Sequence, residues 1–549
     1  MAEIVTLADA VSQLIADGDC VAMEGFTHLI PHAAGHEVMR QRKRELRLVR
    51  MTPDLIYDQL IGAGCAAALR FSWGGNPGVG SLHRLRDAVE HAWPQPLQIR
   101  EHSHADMANA YVAGASGLPF AVLRGYVGSD LPRVNDSIKF LQCPYTGETL
   151  ATSPAVNPDV TVIHAQQADR RGNVLLWGIL GVQKEAALAA RKVIVTVEEV
   201  VDTLDAPPNA CILPRWVVDA LCLVPGGAAP SYAHGYYARD NRFYLAWDAI
   251  ARDRATFQAW IQTHILDTDD FVRFSAGLRT VAAAGGRMSA YSTNEMMTVA
   301  AARRLPDGAV CFVGIGLPST AANLARLTHA PDVTLIYESG PIGARPQVLP
   351  LSIGDGELAE TADTVVSTPE IFRYWLQGGR VDVGFLGAAQ IDRYANLNTT
   401  VIGPYDAPKT RLPGAGGAPE IAASAKQVFI IIRQSKRSFV PTLDFITTVG
   451  HLDGGDARTR AGLRGAGPTV VVTDLCVMEP DPVTCELTVT SLHPGTTREQ
   501  VSAATGWPIR FAADLAQTAP PSTTELDALR ALQARTDAAH GAQAAGAEA

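Results

Sequence analysis

Glu338 is the residue whose type and setting best suit covalent chemistry. It follows an apolar run at 333–336 and Tyr337, and it precedes Ser339-Gly340-Pro341. A carboxylate at the end of a strand and the mouth of a tight turn is open to whatever binds there. Glutamate is a poor nucleophile in water. Partly desolvated and held against an electrophile, it becomes competent for covalent catalysis. The same position also suits a capping or salt-bridged glutamate, and position alone does not choose between them.

Other residues could serve such a centre. Gly25, Gly314, Gly316, Gly416 and Gly417 lie in glycine turns, where backbone N–H groups can face a developing oxyanion; ordinary turn geometry is the plainer reading of each. Gly314, Gly316 and Ser319 open a helical pattern whose N-terminus suits a phosphate or carboxylate. Arg345 lies shortly after Glu338 and is a candidate bidentate partner for a carboxylate; a solvated arginine is the alternative. Glu101 follows a strand at 97–99, either as an assisting group or as a hydrogen-bonded buried acid. His102, His104 and Asp106 alternate in a way that suggests metal ligands, but no further ligand clusters nearby, so no metal is expected. Ser72 opens SWGGNPGVGS, a glycine-rich loop without the Gly-Lys-Ser/Thr ending of a P-loop, suited to shaping a binding pocket. In SYAHGYY, from Ser231 to Tyr237, packing at a domain edge is the expected role.

The elements that must position these residues occur twice. Leu7, Val11, Leu14 and Ile15 form a helical stripe after Thr6, an N-cap; Asp17-Gly18 ends it and a strand at 20–23 runs into Gly25. Ser292 and Glu295 form a capping box, a helix follows to Ala302, Asp307-Gly308 ends it, and a strand at 310–313 runs into Gly314. Further on, HAQQADRRGNVLLW matches GAAQIDRYANLNTT, with Asp169 and Asn173 against Asp392 and Asn396 at one offset. GVQKEAALAARKVIV likewise matches GGAPEIAASAKQVFI, pairing Gly181 with Gly416 and Glu185 with Glu420. At the strand end where the second half has Glu338, the first has Met51, so one active centre is expected in a duplicated fold. Continuous apolar strands between helices predict parallel sheets covered on both faces. The fold class is therefore α/β: two tandem homologous α/β domains with largely parallel sheets. The expected divisions are 1–275, a Gly-rich linker at 276–288 ending on Met288, 289–535, and a flexible, alanine-rich tail at 536–549. Ligands of such sheets sit at the carboxyl ends of the strands, where the glycine turns lie.

Composition narrows the function. Of 549 residues, 47% are hydrophobic and 19% charged, an ordinary globular balance. The net charge of −10 makes a nucleic-acid surface a poor expectation. There is no apolar run of about 18 residues to span a membrane, and MAEIVTLADA lacks the cationic-then-apolar pattern of a secretory signal. The eight cysteines include no CxxC pair, which points to reduced thiols and a cytoplasmic protein.

Three segments in order, GIGLPSTAANLA (from Gly314), YESGPIGARP (from Tyr337) and LPGAGGAPEIAASAK (from Leu412), resemble the β part of family I CoA-transferases. EGFTHLIP and REHSHADMANAYVAGASGLPF resemble the α part, and the likeness spans roughly 1–275 and 288–535. The resemblance implies that Glu338 is the nucleophile, that Gly416 and Gly417 form the oxyanion loop, and that Gly25 approaches from the other half. It implies CoA transfer from succinyl-CoA to 3-oxoadipate through a glutamyl-CoA thioester, with no metal or organic cofactor. Some hydrolytic relatives use a glutamate near Glu101, so a CoA-ester or ring-opening hydrolase is one alternative; a transferase for glutaconate or acetoacetate is another. A homodimer or higher homo-oligomer is expected.

Overall fold

The computed structural model describes residues 3–207, 210–268 and 291–546. The apolar runs become the middle strands of two sheets. In the first half the ladder runs Glu3–Ile4, Ala220–Leu223, Lys192–Val201, Val160–Asp169, Cys20–Glu24, Leu46–Val49, Ala66–Phe71, Gln98–Glu101, with every neighbouring pair parallel. In the second half Pro468–Val472, Gln427–Ile431, Val383–Leu386, Val310–Phe312 and Thr334–Ile336 form a parallel ladder. These repeat the spatial order of Ala220–Leu223 through Leu46–Val49. Antiparallel strands extend this second sheet at both sides, among them Pro341–Ile342 beside Thr334–Ile336 and Cys476–Pro480 beside Pro468–Val472. The strands expected at 20–23, 97–99, 310–313 and 333–336 differ by a residue or two from their observed limits, because pairing rather than composition decides where a strand ends.

The duplication extends to single hydrogen bonds. Asp169 Oδ1 accepts from the backbone N–H groups of Arg171 and Asn173, and its Oδ2 from Asn173 Nδ2 at 2.7 Å. Asp392 repeats the set with Tyr394, Asn396 and Asn396 Nδ2 at 2.8 Å. Gly181 and Gly416 both have left-handed backbone, φ +56° and +57°, before the helices Gln183–Ala189 and Ala418–Ser424. Thr6 caps the helix Leu7–Leu14, and Ser292 with Glu295 closes a capping box on Thr293–Ala302.

The halves interlock. Ala105 of the first half packs in the buried cluster of Phe312, Phe372 and Ile421. In return, Ile353 and Val365 pack against the cluster holding Phe26, Met51 and Tyr111. The expected linker at 276–288, Met288 included, lies outside the described residues. The helix Thr523–Gly546 runs into the alanine-rich tail. Alanine is the best helix former, and the first turns of this helix are anchored by buried Leu529 and Leu532 and by Glu525, which pairs with Arg303. Among the described residues no helix is long and apolar enough to cross a membrane. None of the eight cysteines is in a disulfide.

Candidate active site

The strands Val310–Phe312 and Thr334–Ile336 lie side by side, and Val383–Leu386 flanks the first on its other edge. The chain thus leaves this part of the sheet in opposite directions, which opens a crevice at the carboxyl ends. Glu338 stands two residues beyond Ile336. Its turn is closed by hydrogen bonds from Tyr337 N to Pro341 O and from Gly340 N to Tyr337 O, each 3.0 Å. Gly340 has φ +124°, and a Cβ there would sit 2.0 Å from Val366 O, so only glycine fits. Tyr337 is buried beneath, 3.3 Å from Ser319 Oγ, and Ser339 Oγ donates to Ile353 O.

Across the crevice stands His104, whose Nδ1–H donates to Glu338 Oε2. Ser103 caps the helix His104–Ala115, making His104 its first residue, and His104 N donates to Gly416 O at 2.9 Å. The imidazole sits edge-on between Phe26 and Phe372, with centroids 6.2 Å from each. Gly417 lies against the other carboxylate oxygen: a Cβ there would come 2.9 Å from Glu338 Oε1. A cavity of about 470 Å³ opens over these groups, walled by Phe26, Thr27, Trp73 and His104 of the first half and by Gly314, Glu338, Gly416 and Gly417 of the second.

The remaining expectations divide. Gly314, Gly416 and Gly417 reach the cavity. Gly316 caps the helix Leu317–Leu327 with φ +72° and is not on the cavity wall. Ser319 holds Tyr337 from below. Gly25 is also off the wall and works through its carbonyl, which accepts from Arg50 Nη2 at 3.0 Å; its neighbours Phe26 and Thr27 line the cavity. Ser72 spends its hydroxyl on Met51 O at 2.6 Å, and its carbonyl accepts from Gly416 N at 3.2 Å. It supports the glycine turn rather than touching the cavity. Glu101 is a buried acid: its carboxylate accepts from Arg411 and, at 2.9 Å, from Thr400 Oγ1, both of the second half. Burial pushes its pKa up against the pull of Arg411. His102 Nδ1 meets Asp106 Oδ2 at 2.7 Å while His104 turns to Glu338. No group of three or more His, Cys, Asp or Glu that could hold a metal occurs among the described residues.

Arg345 requires correction. It is exposed and off the cavity wall. After the Glu338 turn the chain reverses, so that Pro341–Ile342 runs antiparallel to Thr334–Ile336 and Gly343 N bonds back to Leu335 O. The hairpin carries Arg345 away from the end of the strand where Glu338 stands. The arginine on the cavity wall is Arg50, buried and paired with Asp54 at 3.3 Å. Sequence reasoning also missed His104 as the partner of Glu338. Its signal was Ser103-x-x-Asp106, a helix start that places His104 at the N-terminal tip.

Two further carboxyl groups lie buried nearby. Burial pushes Glu24 up to about 7 against the pull of Arg50; it accepts from Met51 N at 3.0 Å and from Tyr111 Oη at 2.8 Å. Burial likewise pushes Glu420 up to about 8.

The family model described as Coenzyme A transferase matches residues 4–223 and 294–504, and the chain belongs to this family. One stretch of 276 residues is 72% identical to one of the two subunits of 3-oxoadipate CoA-transferase from Pseudomonas knackmussii, covering 50% of this chain and 98% of that subunit. Another, of 256 residues, is 73% identical to the second subunit from the same organism, covering 47% of this chain and 98% of its counterpart. Two lengths that are separate subunits there are joined in one polypeptide here. An acyl-CoA transferase of Escherichia coli O157:H7 shares the fold, with a TM-score of 0.72 at 16% identity over 95% of this chain and 97% of that one.

Proposed function

We propose that the protein transfers CoA from succinyl-CoA to 3-oxoadipate, yielding 3-oxoadipyl-CoA and succinate, and that Glu338 carries the CoA. Glu338 Oε1 attacks the thioester carbonyl of succinyl-CoA; the carbon–sulfur bond breaks, leaving a mixed anhydride and the CoA thiolate. The thiolate attacks the glutamyl carbonyl, the anhydride carbon–oxygen bond breaks, and succinate departs from a glutamyl-CoA thioester. The carboxylate of 3-oxoadipate then attacks this thioester and expels the thiolate. The thiolate attacks the 3-oxoadipyl carbonyl and regenerates the Glu338 carboxylate. No proton or water is consumed, and no step calls for a metal or organic cofactor. The thioester energy stays in covalent bonds provided that water is excluded.

The observation that carries this reading is the pairing of Glu338 with His104. His104 holds Oε2 and leaves Oε1 to attack. When the thiolate adds to the glutamyl carbonyl, negative charge develops on the oxygen that the His104 N–H already faces, and a fixed donor there lowers the barrier. Identity above 70% to both named subunits supports 3-oxoadipate over glutaconate, since the glutaconate CoA-transferase subunits of Acidaminococcus fermentans are 36% and 30% identical. Glu101 lends no support to hydrolysis: Arg411 and Thr400 occupy its carboxylate and it is off the cavity wall. Incubation with succinyl-CoA should add the mass of CoA less one water at Glu338, since one carboxylate oxygen leaves in succinate, and render the enzyme sensitive to borohydride, which reduces a thioester but not a carboxylate. Glu338→Ala should abolish both the adduct and transfer while changing stability by less than about 1 kcal/mol. Substantial transfer by that variant would remove Glu338 from this role.

A further inference from the structure

We propose that Glu420 is a positioning residue that, through Ser103, clamps the Gly416–Gly417 turn of the second half to the helix that presents His104 in the first. The inference rests on Glu338 as the group that carries CoA.

Glu420 lies in the first turn of the helix Ala418–Ser424, directly after the glycine turn. Its Oε1 accepts from Ser103 Oγ at 2.6 Å, a bond between fully buried side chains 317 residues apart. The same Ser103 Oγ accepts from Asp106 N at 3.2 Å, so the hydroxyl that caps the His104 helix also ties that helix to Glu420. The surroundings are built to admit the carboxyl group. A Cβ on Gly125 would come 2.3 Å from Glu420 Oε1. Glu420 Oε2 is buried without a hydrogen-bond partner among the described residues, the position a protonated acid can tolerate and an ionised one cannot.

The duplicate supplies an internal control. In the duplicate, Glu185 of the first half occupies the place of Glu420, and Ser367 of the second half that of Ser103. The residue after each serine bonds back to the matching glycine, His104 N to Gly416 O and Thr368 N to Gly181 O. The clamp itself is absent from the duplicate: Glu185 turns to Lys184 Nζ at 3.4 Å, and Ser367 Oγ donates to Glu370 at 3.3 Å. Of these two matching places, the cross-half serine–glutamate bond is formed at the one beside the reacting carboxylate.

The titratable groups facing Glu420 are Asp106 and Tyr126 of the first half and Glu338 of the second, with His102 behind Asp106. Two of these are carboxyl groups. A second negative charge at Glu420 would oppose both the thiolate and the oxyanions formed at Glu338, so the clamp works as the neutral acid.

The test compares the full-length wild type with Glu420→Ala and Glu420→Gln. It follows the rate of CoA-adduct formation and of complete transfer from about pH 6 to about pH 10. The alanine variant should form the adduct about 10²-fold more slowly, with KM for succinyl-CoA little changed. The glutamine variant keeps an acceptor for Ser103 and cannot ionise. It should recover most of the rate near neutrality and lack the alkaline fall expected of the wild type as Glu420, raised to about 8 by burial, ionises. An alanine variant at wild-type rate, or a glutamine variant that keeps the wild-type alkaline limb, overturns the proposal. If the alanine variant does not fold, the glutamine pH profile decides. Absence of any adduct in the wild type would overturn the reading of Glu338 and the clamp with it; an adduct whose rate is indifferent to Glu420 overturns the clamp alone.

Discussion

His104 makes the two oxygens of Glu338 unequal. One is held by an N–H donor, and the other faces the glycine turn. His104→Ala should therefore lower kcat by about 10²–10³-fold, the usual cost of a lost oxyanion donor, with a smaller change in KM. Steady-state kinetics with succinyl-CoA check this; a loss below about tenfold would reduce His104 to an orienting role. At this scale the sequence was partly legible. Glu338 could be found because a strand end and a glycine turn are local signals. His104 could not, because its partner stands 234 residues away in the other half. Arg345 misled because spacing along the chain does not reveal the hairpin that carries it off.

Among the elements, the glycine turn before the helix Ala418–Ser424 bears most directly on the site. Gly417 has φ −87°, which any residue adopts, so its need for glycine comes from the approach of Glu338 and not from backbone strain. Gly417→Ala should lower transfer sharply while shifting Tm by no more than a few degrees, the size of a change of about 1 kcal/mol or less. Thermal melts beside activity assays separate the two effects, and equal losses of stability and activity would point to general disruption. The duplicated strands, caps and Asp–Asn turns were readable because each rests on residues close in sequence. The antiparallel additions at the sides of the sheet were not, since two-residue strands such as Pro341–Ile342 have no periodicity to display.

For the whole molecule, the buried acids set a pH dependence. Glu24 and Glu420 rise from 4.5 to about 7 and about 8 in the folded state. The folded protein therefore binds more protons than the unfolded chain between these limits. The stability this confers is full below about pH 4.5 and is lost as pH rises through 7 and 8. Asp106 and Glu525 shift the other way: their pairing contributes stability above the unfolded value that is lost in acid. Tm should fall as pH rises from about 4.5 to about 8 and level off above that, and Glu24→Gln with Glu420→Gln should flatten that fall. Calorimetry across pH checks it, and an unchanged slope in the double variant would assign the loss to other groups.

The contact between His104 and Glu338 joins residues of one polypeptide. Where two separate chains must meet, the concentration of complete sites depends on how much of each is present. Here the two halves belong to one chain, so the second meets the first as an intramolecular partner at an effective concentration that does not change on dilution. Synthesis of one chain also fixes the two parts at equal numbers, so no half-site is left unmatched. Specific activity should accordingly stay constant on dilution far below the level at which separately made halves, 1–275 and 289–549, would part and lose theirs.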